Sequence, residues 1–222
     1  MKNQQIILSL FFAGACVFFA NKASFAEPAN LGLLMQELKT YHDSGAYETE
    51  LAHAIEKAQA YIDHRAKTKL PQQKLAIVLD IDETSLSNYN KFAARQYVGT
   101  PTQIHDDILS GDAPAIAPML ALYNDALTHG VSVFFVTGRR ERDRQITITN
   151  LTQAGYHDWA GLALKSNDYK LPSTIPFKSE ERAKIANQGY TIIADIGDQC
   201  SDLKGGYAEK TFKLPNPYYY LN

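Results

Sequence analysis

Leu75 to Asn88 reads L-A-I-V-L-D-I-D-E-T-S-L-S-N, and the rest of the chain can be arranged around it. Leu75 to Leu79 form a continuous apolar run, the pattern of a strand buried on both faces of a parallel sheet. The run stops at Asp80, with Asp82 and Glu83 close behind. A carboxylate at the end of a buried strand is costly unless something pairs with it. A cation and a ring of hydrogen-bond donors are the natural compensation. Residues two apart in an extended chain point the same way, so Asp80 and Asp82 are expected to face one small site just beyond the strand. Two close carboxylates can divide a reaction, one attacking as a nucleophile and the other moving a proton. Asp and Thr are also turn and helix-cap residues, so a bare D-x-D carries little until other polar groups join it.

Those groups come from a repeating pattern downstream. Apolar runs at Val131–Val136, Gly161–Leu164, Tyr190–Ala194 and Lys210–Leu214 read as strands. Helical segments lie between them. Ile116, Leu120, Tyr123 and Leu127 form a stripe stopped by Gly130; a second helix carries Ile148 and Leu151 to about Gly155; a third opens at Lys178-Ser179-Glu180-Glu181, with Ser179 as its cap, and closes at Gly189. Alternating strands and helices imply right-handed crossovers and a parallel sheet, hence an α/β fold with ligands at the carboxyl ends of the strands. Asp80 follows the first strand, Thr137 the second, Lys165 the third and Asp198 the fourth. This convergence is the main argument for an active site. Asp80, Asp82 and Asp198 offer only hard oxygen ligands, which suits Mg2+ better than zinc. Asp202 is placed either to ligate or to hold that shell. A divalent ion beside a carboxylate nucleophile suits a phosphoryl group. Attack on phosphorus gives an aspartyl-phosphate, which water releases.

The amino-terminal segment has the layout of a secretory signal peptide: Lys2, an apolar run from Ile6 to Ala20, then small residues, with cleavage expected after Ala26. The run is short for a bilayer span, so no stable membrane span is expected after cleavage and the mature protein is read as periplasmic or secreted. Cys16 lies inside the apolar segment, a poor position for lipid attachment. Residues 27–222 are then one domain. Removing residues 1–26 takes two lysines and no acid, which leaves an acidic chain with no reason to bind a nucleic-acid polymer. Cys200 would be its only thiol, so no internal disulfide can form.

Residues 30–66 read as two helices broken at Ser44-Gly45. His42, His53 and His64 are too far apart to ligate one ion from a helix face and are read as surface or packing residues. Residues 88–113 show no long apolar period and are expected to be an irregular, cap-like insertion over the site. Its aromatics, Tyr89, Phe92 and Tyr97, either stack on a leaving group or pin the loop.

The motifs D-I-D-E-T at 80–84, V-T-G-R at 136–139, F-K-S-E-E-R at 177–182 and G-D-Q-C-S-D-L at 197–203 occur in the order of the haloacid dehalogenase (HAD) superfamily. Within it the chain resembles the IIIB acid phosphatases, the bacterial class C enzymes and the plant vegetative-storage-protein-like phosphatases. The tail F-K-L-P-N-P-Y-Y-Y at 212–220 is similar to the plant branch. The resemblance covers about residue 31 to the end. It implies an Mg2+-dependent acid phosphatase acting on small phosphate monoesters, with 5′-nucleotides among the candidates. It assigns Asp80 as nucleophile and metal ligand, Asp82 as general acid and base whose main-chain carbonyl touches the metal, and Thr137 as phosphoryl binder. Lys178 becomes the charge-neutralising lysine, with Lys165 as its rival, and Asp198 completes the metal site with support from Asp202. Arg139 and Arg182 are expected to brace. Ser85, Lys91, Asp195 and Cys200 depart from the usual pattern, which weakens any transfer of substrate preference. Two further readings stay open: a phosphotransferase on the same site, and a non-catalytic storage or binding protein on the same fold.

Overall fold

The computed structural model describes residues 27–221; the segment read as a signal peptide lies outside them. The chain opens with two helices, α1 (Leu31–Asp43) and α2 (Ala46–Lys67), separated at Gly45, whose φ of 78° is the left-handed conformation glycine adopts freely. Strand β1 (Lys74–Leu79) follows, then α3 (Tyr89–Ala94), α4 (Pro101–Ser110) and α5 (Ala117–Thr128). Strand β2 (Ser132–Arg140) leads through a 3-10 turn into α6 (Arg144–Gln153). The rest is β3 (Gly161–Lys165), α7 (Ile175–Asn187), β4 (Tyr190–Gly197), the single turn α8 (Cys200–Leu203) and β5 (Ala208–Lys213).

All five strands pair in parallel in the order β3-β2-β1-β4-β5, so β1 is central and its end lies between those of β2 and β4. Its side chains alternate between two cores, as strand geometry requires. Leu75, Ile77 and Leu79 join Val133 and Phe135 of β2 in the larger core, which α2 and α5 cover with Leu51, Ile55, Ile62, Met119 and Leu122. Ala76 and Val78 join Phe134, Val136 and Ile185 of α7 on the other face. Each fully buried Leu or Ile in these layers contributes about 1.5–3 kcal/mol relative to exposure.

Two expectations need correction. Residues 88–113 are not irregular: α3 and α4 occupy much of them. α3 is only 6 residues long, too short to show a period. The signals for α4 were present in the chain. Thr100 and Gln103 form a capping box, Pro101 is in the first turn and Gly111 closes the end with φ 62°. The second correction concerns α7. It begins at Ile175 with Thr174 at the N-cap, and Pro176 sits in its first turn, where a missing N–H costs nothing. Ser179 is therefore inside the helix and does not cap it; its hydroxyl donates to the Gly205 carbonyl at 2.7 Å.

Candidate active site

Beyond the carboxyl ends of β1, β2 and β4 lies a cavity of about 530 Å³. Asp80 reaches it directly from β1. Its amide still donates to Ile196 O (3.0 Å), and then the chain turns sharply, with the amides of Ser85 and Leu86 both donating to Ile81 O at 2.8 Å. Ser85 Oγ donates back to Asp80 O at 2.7 Å. Within this turn Glu83 has φ 54°, a conformation a non-glycine residue keeps only when its surroundings hold it. Three donors do so: Asn88 N to Glu83 Oε1 (2.5 Å), and Asn88 Nδ2 (3.3 Å) and Tyr219 OH (2.9 Å) to Oε2. Burial, then the nearby Asp82 charge, pushes the Glu83 carboxyl up to about 8.

Asp80 is buried and paired. Lys178 Nζ, from α7, donates to Asp80 Oδ1 at 2.5 Å and to Asp202 Oδ1 at 2.7 Å. Asp80 Oδ2 has no hydrogen-bond partner among the described residues and belongs to a side chain lining the cavity. Burial raises the Asp80 carboxyl well above the ordinary range, and the acids at 202, 198 and 82 add to this, while Lys178 opposes it. Burial works against the charge on Lys178, but Asp80 and Asp202 outweigh it and hold the ammonium protonated.

Asp198 enters from β4. Thr84 Oγ1 donates to its Oδ1 (3.1 Å), and Gln199 Nε2 and Asn216 Nδ2 both donate to Oδ2 (2.7 Å each). Gly197 makes room for the Asp202 side chain, which a Cβ at 197 would meet at 2.5 Å. Asp80, Asp198 and Asp202 each offer a carboxylate oxygen within 4.8 Å of the other two, and all three are buried. Burial and the Asp202 charge raise the Asp198 carboxyl as well. Three buried, mutually repelling oxygen donors are what a hard divalent cation would relieve, so the residues fit Mg2+.

Asp82 lines the same cavity, but its carboxylate stands outside that trio. Arg139 grips it with two hydrogen bonds, Nε to Oδ2 (3.0 Å) and Nη2 to Oδ1 (2.7 Å), and Asn88 Nδ2 adds a third at 3.0 Å. Burial would push this carboxyl up; Arg139 and Asn88 more than reverse that and hold it below its ordinary range. Thr137 is fully buried at the end of β2. Its Oγ1 accepts from Arg139 N at 3.1 Å, and its own proton has no acceptor among the described residues. Gly138 and Arg139 line the cavity; Thr137, fully buried, does not.

The two lysines now separate. Lys178 holds Asp80; Lys165 lines the cavity with its ammonium 5.4 Å from the Tyr169 ring centre. Arg182 is fully buried beneath the site. It donates to the carbonyls of Asp202, Lys204 and Gly206, and so fixes the loop that begins at Asp202. Its Nη1 lies 2.9 Å from Asp195 Oδ2, but too poorly aligned for a hydrogen bond. Burial therefore wins over Arg182 and Lys178 at Asp195 and pushes its carboxyl up to about 7. An acid raised in this way favours the native state below its unfolded value, near 4, and loses that stabilisation as pH rises through about 7. Unfolding by urea at pH 5 and at pH 8 should show the decline, and Asp195→Asn should flatten it.

Several residues at the site escaped sequence reading. Asn216, Tyr219 and Gln199 reach Asp198 and Glu83 from the segment after β5 and from the turn after β4. Tyr218 stacks on Tyr97 with ring centres 5.8 Å apart, and Phe92 meets Tyr219 edge-on at 5.4 Å. The insertion's aromatics thus pin the tail, and Phe92 and Tyr97 also line the cavity. His42 stacks between Tyr47 and Tyr89, a packing role as expected.

The model of the HAD superfamily, subfamily IIIB (acid phosphatase), matches residues 25–222. Acid phosphatase 1 of Solanum lycopersicum is 39% identical over 151 residues, 65% of this chain and 58% of that protein. The stem 28 kDa glycoprotein of Glycine max is 34% identical over 202 residues, 81% of this chain and 80% of its own length. The class C acid phosphatase of Bacillus anthracis superposes with a TM-score of 0.70 at 23% identity, covering 85% of this chain and 86% of that one, which is a likeness of fold.

Proposed function

The chain belongs to the HAD superfamily, subfamily IIIB, and from this membership and its cavity we propose that it is an exported, Mg2+-dependent acid phosphatase acting on small phosphate monoesters. The observation that carries the reading is the asymmetry of Asp80, a residue that lines the cavity: Oδ1 is held by Lys178, while Oδ2 is left without a partner among the described residues. That oxygen is the nucleophile. It attacks phosphorus, the bond from phosphorus to the ester oxygen breaks, and an acyl phosphate forms on Asp80. Lys178 stays within reach of both the nucleophile and the transferred group. Thr137, with its hydroxyl proton uncommitted among the described residues, donates to a phosphoryl oxygen once its side chain, buried beside the cavity-lining Gly138, turns toward the bound group. Bound at Asp80, Asp198 and the Asp82 carbonyl, with Asp202 behind them, Mg2+ would polarise the phosphoryl oxygens and neutralise the acids. Asp82, kept ionised by Arg139, is ready to take a proton from the water that cleaves the acyl phosphate. To protonate the leaving oxygen in the first step it must part from Arg139 and take up a proton.

Phe92 and Tyr97 give the cavity aromatic walls, which favours leaving groups with a flat ring and keeps 5′-nucleotides among the candidates. Transfer to an alcohol in place of water would use the same intermediate. A storage role without catalysis is disfavoured by the retained Asp80. Export rests on the amino-terminal pattern of Lys2, the apolar run and Ala26.

A screen of phosphate esters against the protein lacking residues 1–26, with and without Mg2+, tests the proposal. Chelation of the metal should silence hydrolysis of p-nitrophenyl phosphate, and readdition of Mg2+ should restore it; hydrolysis indifferent to chelator would remove the metal from the reaction. Thr137→Val should lower kcat by roughly 10- to 1000-fold, the scale of one lost transition-state donor.

A further inference from the structure

Four cationic side chains line the cavity, and three of them are already neutralised. Arg95 is paired with Asp107 through two hydrogen bonds, at 2.9 and 2.5 Å. Arg139 is committed to Asp82, and Lys178 to Asp80 and Asp202. Lys165 differs. Among the described residues no carboxylate lies within salt-bridge distance of it and no acceptor takes its protons; its one neighbour of opposite character is the π face of Tyr169.

This isolation is built in. β3 ends at Lys165, where its register against β2 shifts between Thr137 and Arg140, setting Lys165 opposite Arg140. Arg140 is itself a cation; its Nη1 donates to the carbonyls of Ser166, Asn167 and Tyr169 and fixes the turn that begins just after the lysine. The ammonium is therefore held half-buried on a strand end among like charges. Burial, then Arg140 and Lys178, lowers its pKa, as befits a cation with no counter-ion. Holding a half-buried charge there costs free energy unless an anion arrives.

We propose that Lys165 is a substrate-binding residue that takes an anionic oxygen of the phosphate ester, completing a cavity whose other cations are neutralised by the protein itself. The inference rests on the phosphatase reading and extends it to a residue that Lys178 would otherwise make redundant. Two sources of that oxygen share the chemistry: the phosphoryl group being transferred, and a second phosphate on the leaving group. Lys165 lines the same cavity as Asp80 and Lys178, which favours the first.

The test compares the parent with Lys165→Met, which keeps the aliphatic stem against Tyr169, and with Lys165→Arg. Binding of inorganic phosphate is measured by calorimetry in the presence of Mg2+, alongside kcat and KM for p-nitrophenyl phosphate and for a bisphosphate ester. Lys165→Met should weaken phosphate binding and raise KM for both esters by about 10- to 100-fold, the scale of one lost charged hydrogen bond, with a much smaller change in kcat. Lys165→Arg should recover most of the loss. A defect confined to the bisphosphate would support the residue and assign it to the distal anion. Phosphate affinity and both KM values unchanged in Lys165→Met would overturn the proposal. So would a fall in kcat alone, which would mark a structural role. A parent that binds phosphate but hydrolyses no ester would sink the phosphatase reading and leave the calorimetric test of Lys165 decisive; a parent that binds no phosphate would sink both.

Discussion

Asp80→Asn should abolish hydrolysis, by roughly four orders of magnitude or more if Asp80 is the covalent nucleophile, and should leave the fold intact. The amide keeps the shape of the carboxylate, and its oxygen can still accept from Lys178. Lys178 also keeps Asp202 as a counter-ion at 2.7 Å. Asp80 is among the most strained charges in the molecule, since burial and three neighbouring acids all oppose its ionisation. Removing that charge relieves repulsion, so the melting temperature measured without metal should hold or rise. Melting curves and p-nitrophenyl phosphate assays on the same samples separate the two effects. A variant that melts normally and still turns over at the parent rate would remove Asp80 from the chemistry. One that fails to fold would show that the pair with Lys178 is structural first.

The largest expected effect on stability lies at Arg182. This side chain is fully buried, and three carbonyls in the loop from Asp202 to Gly206 depend on it. Arg182→Met keeps much of the volume and removes every donor. It takes away the only cation paired with Asp195 among the described residues, leaving Lys178 acting from further off, and breaking one partner of a buried pair costs roughly 3–5 kcal/mol. The orphaned carbonyls add to that. Urea unfolding at pH 8, where Asp195 is ionised in the parent, should show the full loss; at pH 5 it should be smaller, because Asp195 is then protonated in the native state. Adding Asp195→Asn to Arg182→Met should recover part of the stability. Equal losses at both pH values would mean that the carbonyl bonds dominate and the charge pair contributes little. Because the same loop begins at Asp202, whose carboxylate groups with those of Asp80 and Asp198, Mg2+ binding should weaken in step.

How much of this was legible in the chain depends on whether a residue acts along the sequence or across it. Asp80, Thr137 and Lys165 each end an apolar run and Asp198 directly follows β4, so strand order alone brought them to one edge of the sheet. The pairing of Asp82 with Arg139 spans 57 positions and depends on side-chain reach, which no spacing encodes. Asn216 and Tyr219 sit in a prolyl, tyrosine-rich tail with no period, and only the folded chain shows them touching Asp198 and Glu83. The miss at α4 was of another kind. Its capping box, proline and terminal glycine were readable, and the weak apolar period concealed them.

The route taken by residues 214–221 bears on how the protein is best handled. Leu214 docks on Gly197, Asn216 and Tyr219 hold Asp198 and Glu83, and Tyr220 and Leu221 finish at the cavity's rim. An affinity handle fused behind Leu221 would emerge beside the cavity that Asp80 lines, where its bulk would crowd the opening. The same handle fused ahead of Asn30 would leave from the start of α1, a helix with no buried residues.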